Sequence, residues 1–307
     1  MTKRVKFFLI AFFVSLPFWW GINIFQENLE KFFYAQISKP FEEMVFVNLP
    51  EKPQKPELDL QVKSAISIKI TPHKEKILFQ KEIEKPLPIA SLTKLMTALI
   101  VFEDPENYNF SKIVTISKEA AKQEDVPEYG NLKMGEKINI EKLLNLMLIY
   151  SSNDAAWAFS EEIGPKYFVE KMNQKTKILG MENTNFVNPT GLDPENLYFN
   201  QENLNDFNYS TVKDLAKLTK YILNEFPLIF EIASTKPVYP IKNGFSDLSL
   251  SQDINIIGGK TGYTDEAGGC IILVFEKSEN YFINIILGTK GTEGRISEMK
   301  KLIDYVL

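Results

Sequence analysis

Strand-like runs stand at both ends of the sequence, and helix-like periodicity fills the space between them. Residues 62–70 alternate apolar and polar side chains, as in Ala65-Ile66-Ser67-Ile68-Lys69-Ile70, and residues 76–81 form a second short run. The polar stretch around His73 between them predicts a hairpin. Near the other end, residues 269–275 and 281–287 read as adjacent strands, and residues 296–307 as a closing amphipathic helix. From Ser91, apolar side chains recur at Leu92, Leu95, Met96, Leu99 and Ile100, which is helical spacing. Residues 117–226 are mainly helical in pattern, with loops expected at 125–130 and 183–208. Strands this far apart become one sheet only if the two ends meet. The expected fold is therefore α+β, an antiparallel sheet from N- and C-terminal strands flanked by helices, with a mainly helical subdomain.

The first residues constrain the topology differently. Lys3, Arg4 and Lys6 precede an apolar run over residues 7–25. As a helix that run is about 28 Å long, enough to cross a bilayer core. Basic residues stay on the cytoplasmic side, and Trp19 and Trp20 fall near the outer end. This predicts a cytoplasmic tail at 1–6, a single transmembrane signal anchor at 7–25, and an extracytoplasmic remainder. A cleaved signal peptide is the alternative, although its apolar region is usually only about 7–15 residues and ends in a small-residue site, which the sequence lacks. Pro40, Pro50, Pro53 and Pro56, interleaved with Glu and Lys, predict a proline-rich linker over 26–60. The folded domain is then 61–307.

Composition removes several classes of function. The net charge of -5 provides no basic surface for nucleic acid. The single cysteine, Cys270, excludes an internal disulfide. The single histidine, His73, lies in Thr71-Pro72-His73-Lys74-Glu75-Lys76 and reads as a solvated turn residue. A Ser-His-Asp triad or a zinc-hydrolase site would need that histidine. A catalytic base in this chain is therefore expected to be a lysine or a carboxylate.

Three short words carry chemistry. In Ser91-Leu92-Thr93-Lys94 the hydroxyl and the amine share a helical face. The positive helix start and burial both disfavour a charged amine, so a neutral Lys94 can take the serine proton. In Ser151-Ser152-Asn153, Ser151 can relay a proton, and the Asn153 carboxamide can hold both a lysine and a substrate amide. In Lys260-Thr261-Gly262, the lysine and threonine suit a substrate carboxylate, and the glycine admits a ligand close to the backbone. Each word also has a purely structural reading, as a helix N-cap, a capped helix break and a glycine-rich loop entering a strand.

Together, Ser91, Lys94, Ser151, Asn153, Lys260, Thr261 and Gly262 resemble the serine penicillin-recognising enzymes. Longer words, Pro88-Ile89-Ala90-Ser91-Leu92-Thr93-Lys94-Leu95-Met96-Thr97-Ala98, Ser151-Ser152-Asn153-Asp154-Ala155-Ala156, Phe186-Val187-Asn188-Pro189-Thr190-Gly191-Leu192-Asp193 and Gly259-Lys260-Thr261-Gly262-Tyr263-Thr264, narrow the resemblance. They are similar to those of the D-alanyl-D-alanine carboxypeptidases of peptidase family S11, over residues 62–307. The resemblance implies Ser91 as nucleophile and Lys94 as general base, with Ser151, Asn153 and Lys260 completing the proton network and orienting substrate. It implies an oxyanion hole from the backbone N–H groups of Ser91 and Tyr263, and Arg295 near the substrate's terminal carboxylate. Arg295 as a surface residue of the closing helix is the structural alternative.

The implied substrate is a peptidoglycan stem peptide ending in D-Ala-D-Ala, with β-lactam antibiotics as covalent inhibitors and no metal or organic cofactor. Many relatives carry a second, β-rich domain and a C-terminal membrane helix. Neither is expected here, and the N-terminal anchor is expected to take the helix's place. A DD-endopeptidase, a β-lactamase and an inactive wall-binding module remain alternatives.

Overall fold

A computed structural model describes residues 58–123, 131–194, 207–236 and 245–307. The expected anchor, nearly all of the expected linker, the loop at 125–130 and residues 195–206 of the Asn-rich stretch lie outside these residues. Among the described residues no helix is long and apolar enough to cross a membrane.

The two ends of the described chain meet in one sheet. β1 (Ser64–Ile70) and β2 (Glu75–Lys81) form the expected hairpin, and His73 is exposed in its turn. β7 (Asn255–Thr264), β8 (Gly268–Lys277) and β9 (Asn280–Thr289) follow one another antiparallel. β9 also pairs with β1, with Ile66 opposite Ile285, so the order is β2-β1-β9-β8-β7. At that seam the buried Ser67 hydroxyl donates to Asn284 Oδ1 at 2.7 Å, which satisfies two polar groups in an apolar layer.

Strand alternation divides the core into two layers. Cys270, Ile272 and Val274 of β8 face the helical subdomain, whereas Ile271, Leu273 and Phe275 face the opposite layer. There Met299, Leu302 and Ile303 of the closing helix, α7 (Gly291–Val306), cover the sheet. Each such buried side chain contributes about 1.5–3 kcal/mol. Because both faces are covered, β8 reads as an almost unbroken apolar run.

The helical subdomain is built on α1 (Thr93–Phe102), in which every residue from Thr93 to Val101 is buried. Around it lie α2 (Ile140–Ile149), α3 (Asn153–Glu161), α4 (Pro165–Ile178), α5 (Val212–Glu225) and α6 (Leu228–Ser234). Short two-stranded pairings complete the fold, β3 (Leu87–Pro88) with β6 (Tyr209–Ser210) and β4 (Ile113–Thr115) with β5 (Lys137–Asn139).

Two local features differ from the sequence reading. Ser91 does not open the helix. It lies in a 3-10 turn, Ala90–Leu92, and α1 begins at Thr93. The folded unit begins at Leu58, a little before the expected boundary, because Leu60 is buried in the sheet layer and its carbonyl accepts from Lys81 Nζ.

Candidate active site

The site forms where the 3-10 turn, the break between two helices and the edge strand β7 converge. Ala90 has φ +46, a left-handed conformation that L residues rarely adopt. It turns the chain sharply from β3 into α1 and leaves Ser91 half-buried at the bend. Lys94, one turn further, is fully buried. Its Nζ lies 2.9 Å from Ser91 Oγ, 2.7 Å from Asn153 Oδ1 and 2.7 Å from the Thr190 carbonyl. These three partners are all neutral groups.

The helix break accounts for the roles of three successive residues. α2 ends at Tyr150, and Ser151 takes φ +67. Ser152 caps α3, its hydroxyl accepting from Ala155 N at 3.1 Å. Ser152 is therefore the capping residue of this word, whereas Ser151 and Asn153 are left to meet the lysines. Ser151 Oγ accepts from Lys260 Nζ at 2.8 Å.

Lys260, Thr261 and Gly262 lie within β7, paired with β8 through Ile272, Ile271 and Cys270. The glycine-rich word is thus a strand, although its glycines carry little strand propensity. Lys260 is 2% exposed. Burial, followed by the nearby charges of Lys94 and Arg295, pushes its amine well below the ordinary lysine range. Burial thus weakens its hold on a proton while Ser151 Oγ lies within hydrogen-bond reach.

Gly262 is required by close packing. A Cβ there would lie 2.9 Å from Ser91 N and 3.1 Å from Ala90 Cβ. Gly191, at φ +86, approaches the same turn from the opposite segment, and a Cβ on it would lie 2.0 Å from Ala90 O. The backbone N–H of Ser91 is therefore flanked by two glycines. Arg295 is buried in α7, and its Nη1 donates to Gly262 O at 3.0 Å. Burial lowers its guanidinium to about 10. Tyr263 is exposed, and its hydroxyl donates to Asp265 Oδ1 at 3.0 Å.

All nine residues singled out in the sequence lie on these three converging segments or on α7 behind β7. The sequence words did not reveal the role of the Thr190 carbonyl. A main-chain acceptor leaves no residue-type signature.

Comparison with known proteins places the chain in a family. A sequence profile described as D-alanyl-D-alanine carboxypeptidase, peptidase S11, matches residues 50–291.

The chain belongs to this family.

Within it, the chain is 31% identical over 260 residues to the D-alanyl-D-alanine carboxypeptidase DacF of Bacillus subtilis, covering 81% of this chain and 63% of that protein. It is 32% identical over 214 residues to a D-alanyl-D-alanine endopeptidase of Escherichia coli, covering 64% of this chain and 62% of that protein. The chain thus spans less than two thirds of the length of either relative. Penicillin-binding protein D2 of Listeria monocytogenes, solved in a cefotaxime-bound form, superposes with a TM-score of 0.67 at 29% identity, over 82% of this chain and 99% of that one. The α+β fold with its antiparallel sheet is that of the penicillin-binding proteins in this family.

Proposed function

We propose that the chain is a serine-type D-alanyl-D-alanine carboxypeptidase that removes the terminal D-Ala from peptidoglycan stem peptides. The observation that carries this reading is the buried Lys94 amine, 2.9 Å from Ser91 Oγ, with segments 151–153 and 260–262 brought to the same turn. In the acylation step Ser91 Oγ attacks the carbonyl carbon of the penultimate D-Ala and its proton passes to neutral Lys94. The oxyanion is held by the N–H groups of Ser91 and Tyr263, each such donor typically contributing about 2.7–4 kcal/mol. The C–N bond then breaks, and the leaving amine takes a proton delivered through Lys94, Ser151 and Lys260. Water then adds to the acyl carbon and gives up a proton to the same network, the bond from that carbon to Ser91 Oγ breaks, Ser91 Oγ takes back a proton from Lys94, and the shortened peptide leaves as its carboxylate, its remaining proton passing to solvent.

Asn153 orients both Lys94 and the substrate amide, and the terminal carboxylate is assigned to Thr261 and Arg295 on the family resemblance. β-Lactams acylate Ser91 by the same attack, with ring opening in place of loss of D-Ala. The basic start and apolar run over 7–25 support an anchor that keeps the catalytic domain on the outer side of the cytoplasmic membrane.

A second reading, endopeptidase cleavage of cross-links at the same serine, is favoured by the similarity to the Escherichia coli endopeptidase. Incubation with a fluorescent penicillin tests the nucleophile. The wild-type chain is expected to label and Ser91→Ala to remain unlabelled, and labelling of both or of neither rejects the assignment. Product analysis on pentapeptide and cross-linked muropeptides then separates the two readings.

A further inference from the structure

Two buried asparagines outside the residues assigned above organise the segment that contributes the Thr190 carbonyl. Asn188 is 1% exposed and Asn208 is 3% exposed. Asn188 Oδ1 accepts from Thr190 N at 3.1 Å, from the Thr190 hydroxyl at 2.9 Å and from Gly191 N at 2.7 Å. Its Nδ2 donates to Leu192 O at 3.1 Å. Residues 190–192 are thus wrapped around one carboxamide, a side-chain-closed turn of the kind asparagine favours.

Asn208 fixes the same segment to the catalytic helix. Its Oδ1 accepts from Val187 N at 2.7 Å and Asn188 N at 3.1 Å. Its Nδ2 donates to Asn188 O at 2.9 Å and to Thr93 Oγ1 at 3.0 Å. Thr93 is the residue before Lys94. The Thr97 hydroxyl, one turn further on, donates to Pro189 O at 2.7 Å. Both sides of the contact between Lys94 Nζ and Thr190 O are therefore tied to a single amide.

A neutral primary amine has two N–H bonds and one lone pair. Thr190 O and Asn153 Oδ1 can only accept, so each contact engages an N–H, and the lone pair is directed to the Ser91 hydroxyl proton. Without a fixed Thr190 carbonyl, the amine loses one of the acceptors that set its rotation about the Cε–Nζ bond, and the aim of the lone pair loosens. We propose that Asn188 and Asn208 are positioning residues that orient the Lys94 lone pair toward Ser91 by immobilising the Thr190 carbonyl. The proposal rests on the serine-acylation reading.

The test resolves the full chain's reaction with a fluorescent penicillin into reversible binding and the acylation rate. Asn188→Ala and Asn208→Ala are expected to slow acylation about 10²-fold with binding unchanged, as for a misaimed catalytic group. Asn188→Ser places a hydroxyl where it can accept from the N–H groups two and three residues on, and is expected to recover most of the rate. In the double alanine variant the losses are not additive. The proposal is overturned if both alanine variants acylate within about threefold of wild type. It is equally overturned if rate, binding and melting temperature fall together and Asn188→Ser restores none of them. Should the alanine variants not fold, Asn208→Asp, which keeps the acceptor for Val187 and Asn188 N–H but removes the donor to Asn188 O and Thr93 Oγ1, decides: slowed acylation with binding intact supports the proposal, and an unchanged rate rejects it. A wild-type chain that takes no label rejects the acylation reading and this proposal with it, whereas equal labelling of wild type and variants rejects only the latter.

Discussion

Lys260 donates to Ser151 across 2.8 Å, joining an edge strand to a helix break 109 residues away in sequence. The bond puts a fully buried amine next to a hydroxyl in a site that also holds Lys94 and Arg295. Burial above all lowers the Lys260 pKa, so the native state binds this proton less tightly than the unfolded chain does. The unfolded state is then the more protonated one between the depressed folded pKa and the ordinary lysine value. Stability contributed by this group therefore rises with pH across that window and is lost as pH falls. Lys260→Met is predicted to flatten this rise, to leave the melting temperature at neutral pH unchanged or higher, and to slow acylation about 10²-fold or more. Thermal unfolding across pH, together with penicillin labelling, checks both halves. A destabilisation above about 1 kcal/mol at neutral pH would contradict the account.

Lys94→Met keeps the helix and most of the buried volume while removing the base. Acylation is expected to fall about 10³-fold, with the protein still folded by circular dichroism. A variant that labels at the wild-type rate would transfer the base assignment elsewhere.

Gly262→Ala places a methyl 2.9 Å from Ser91 N. The expected effect is on the backbone donor and the nucleophile together, about 10²–10³-fold in acylation rate. Gly291→Ala is a suitable control, because a Cβ there meets nothing within 4 Å, although its φ of +67 will itself cost some stability. The control should lose stability and keep its rate, and the reverse pattern in either variant would count against the packing argument.

Arg295→Met is predicted to act in two ways. Gly262 O loses a donor, at a cost of about 1–3 kcal/mol in stability, and KM for a peptide ending in D-Ala-D-Ala rises by more than kcat falls. Steady-state kinetics on the peptide and on its C-terminal amide separate the two effects. Equal losses on both substrates would reduce Arg295 to a brace for β7.

The sequence makes some of this architecture plain and conceals the rest for physical reasons. The β1–β2 hairpin and the β8–β9 pair are legible because alternation and apolar runs follow directly from burial. β7 is not, because Gly258, Gly259 and Gly262 are selected there for close approach to Phe230, Ile272 and Ser91, and that requirement overrides strand propensity. The extent of α1 is read well, but its start is not. Ser91 has the residue type of an N-cap, yet α1 has no side-chain cap at its start. Of the candidate site, the side chains that converge are visible as words. The Thr190 carbonyl is invisible, because a peptide group is present at every position and only the fold selects which one is used.

The seam between β1 and β9 also bears on folding. Its partners, such as Ser67 and Asn284, are 217 residues apart, so the centre of the sheet is a long-range contact that closes slowly. The Ser91 segment leaves the ribosome well before β9, and until β9 arrives β1 lacks its inner neighbour and β7 has no complete sheet to extend. A nascent chain halted before residue 280 would thus contain Ser91 and Lys94 but not the sheet that brings Lys260 to Ser151. Acylation competence should accordingly appear late and abruptly during synthesis, rather than growing with chain length.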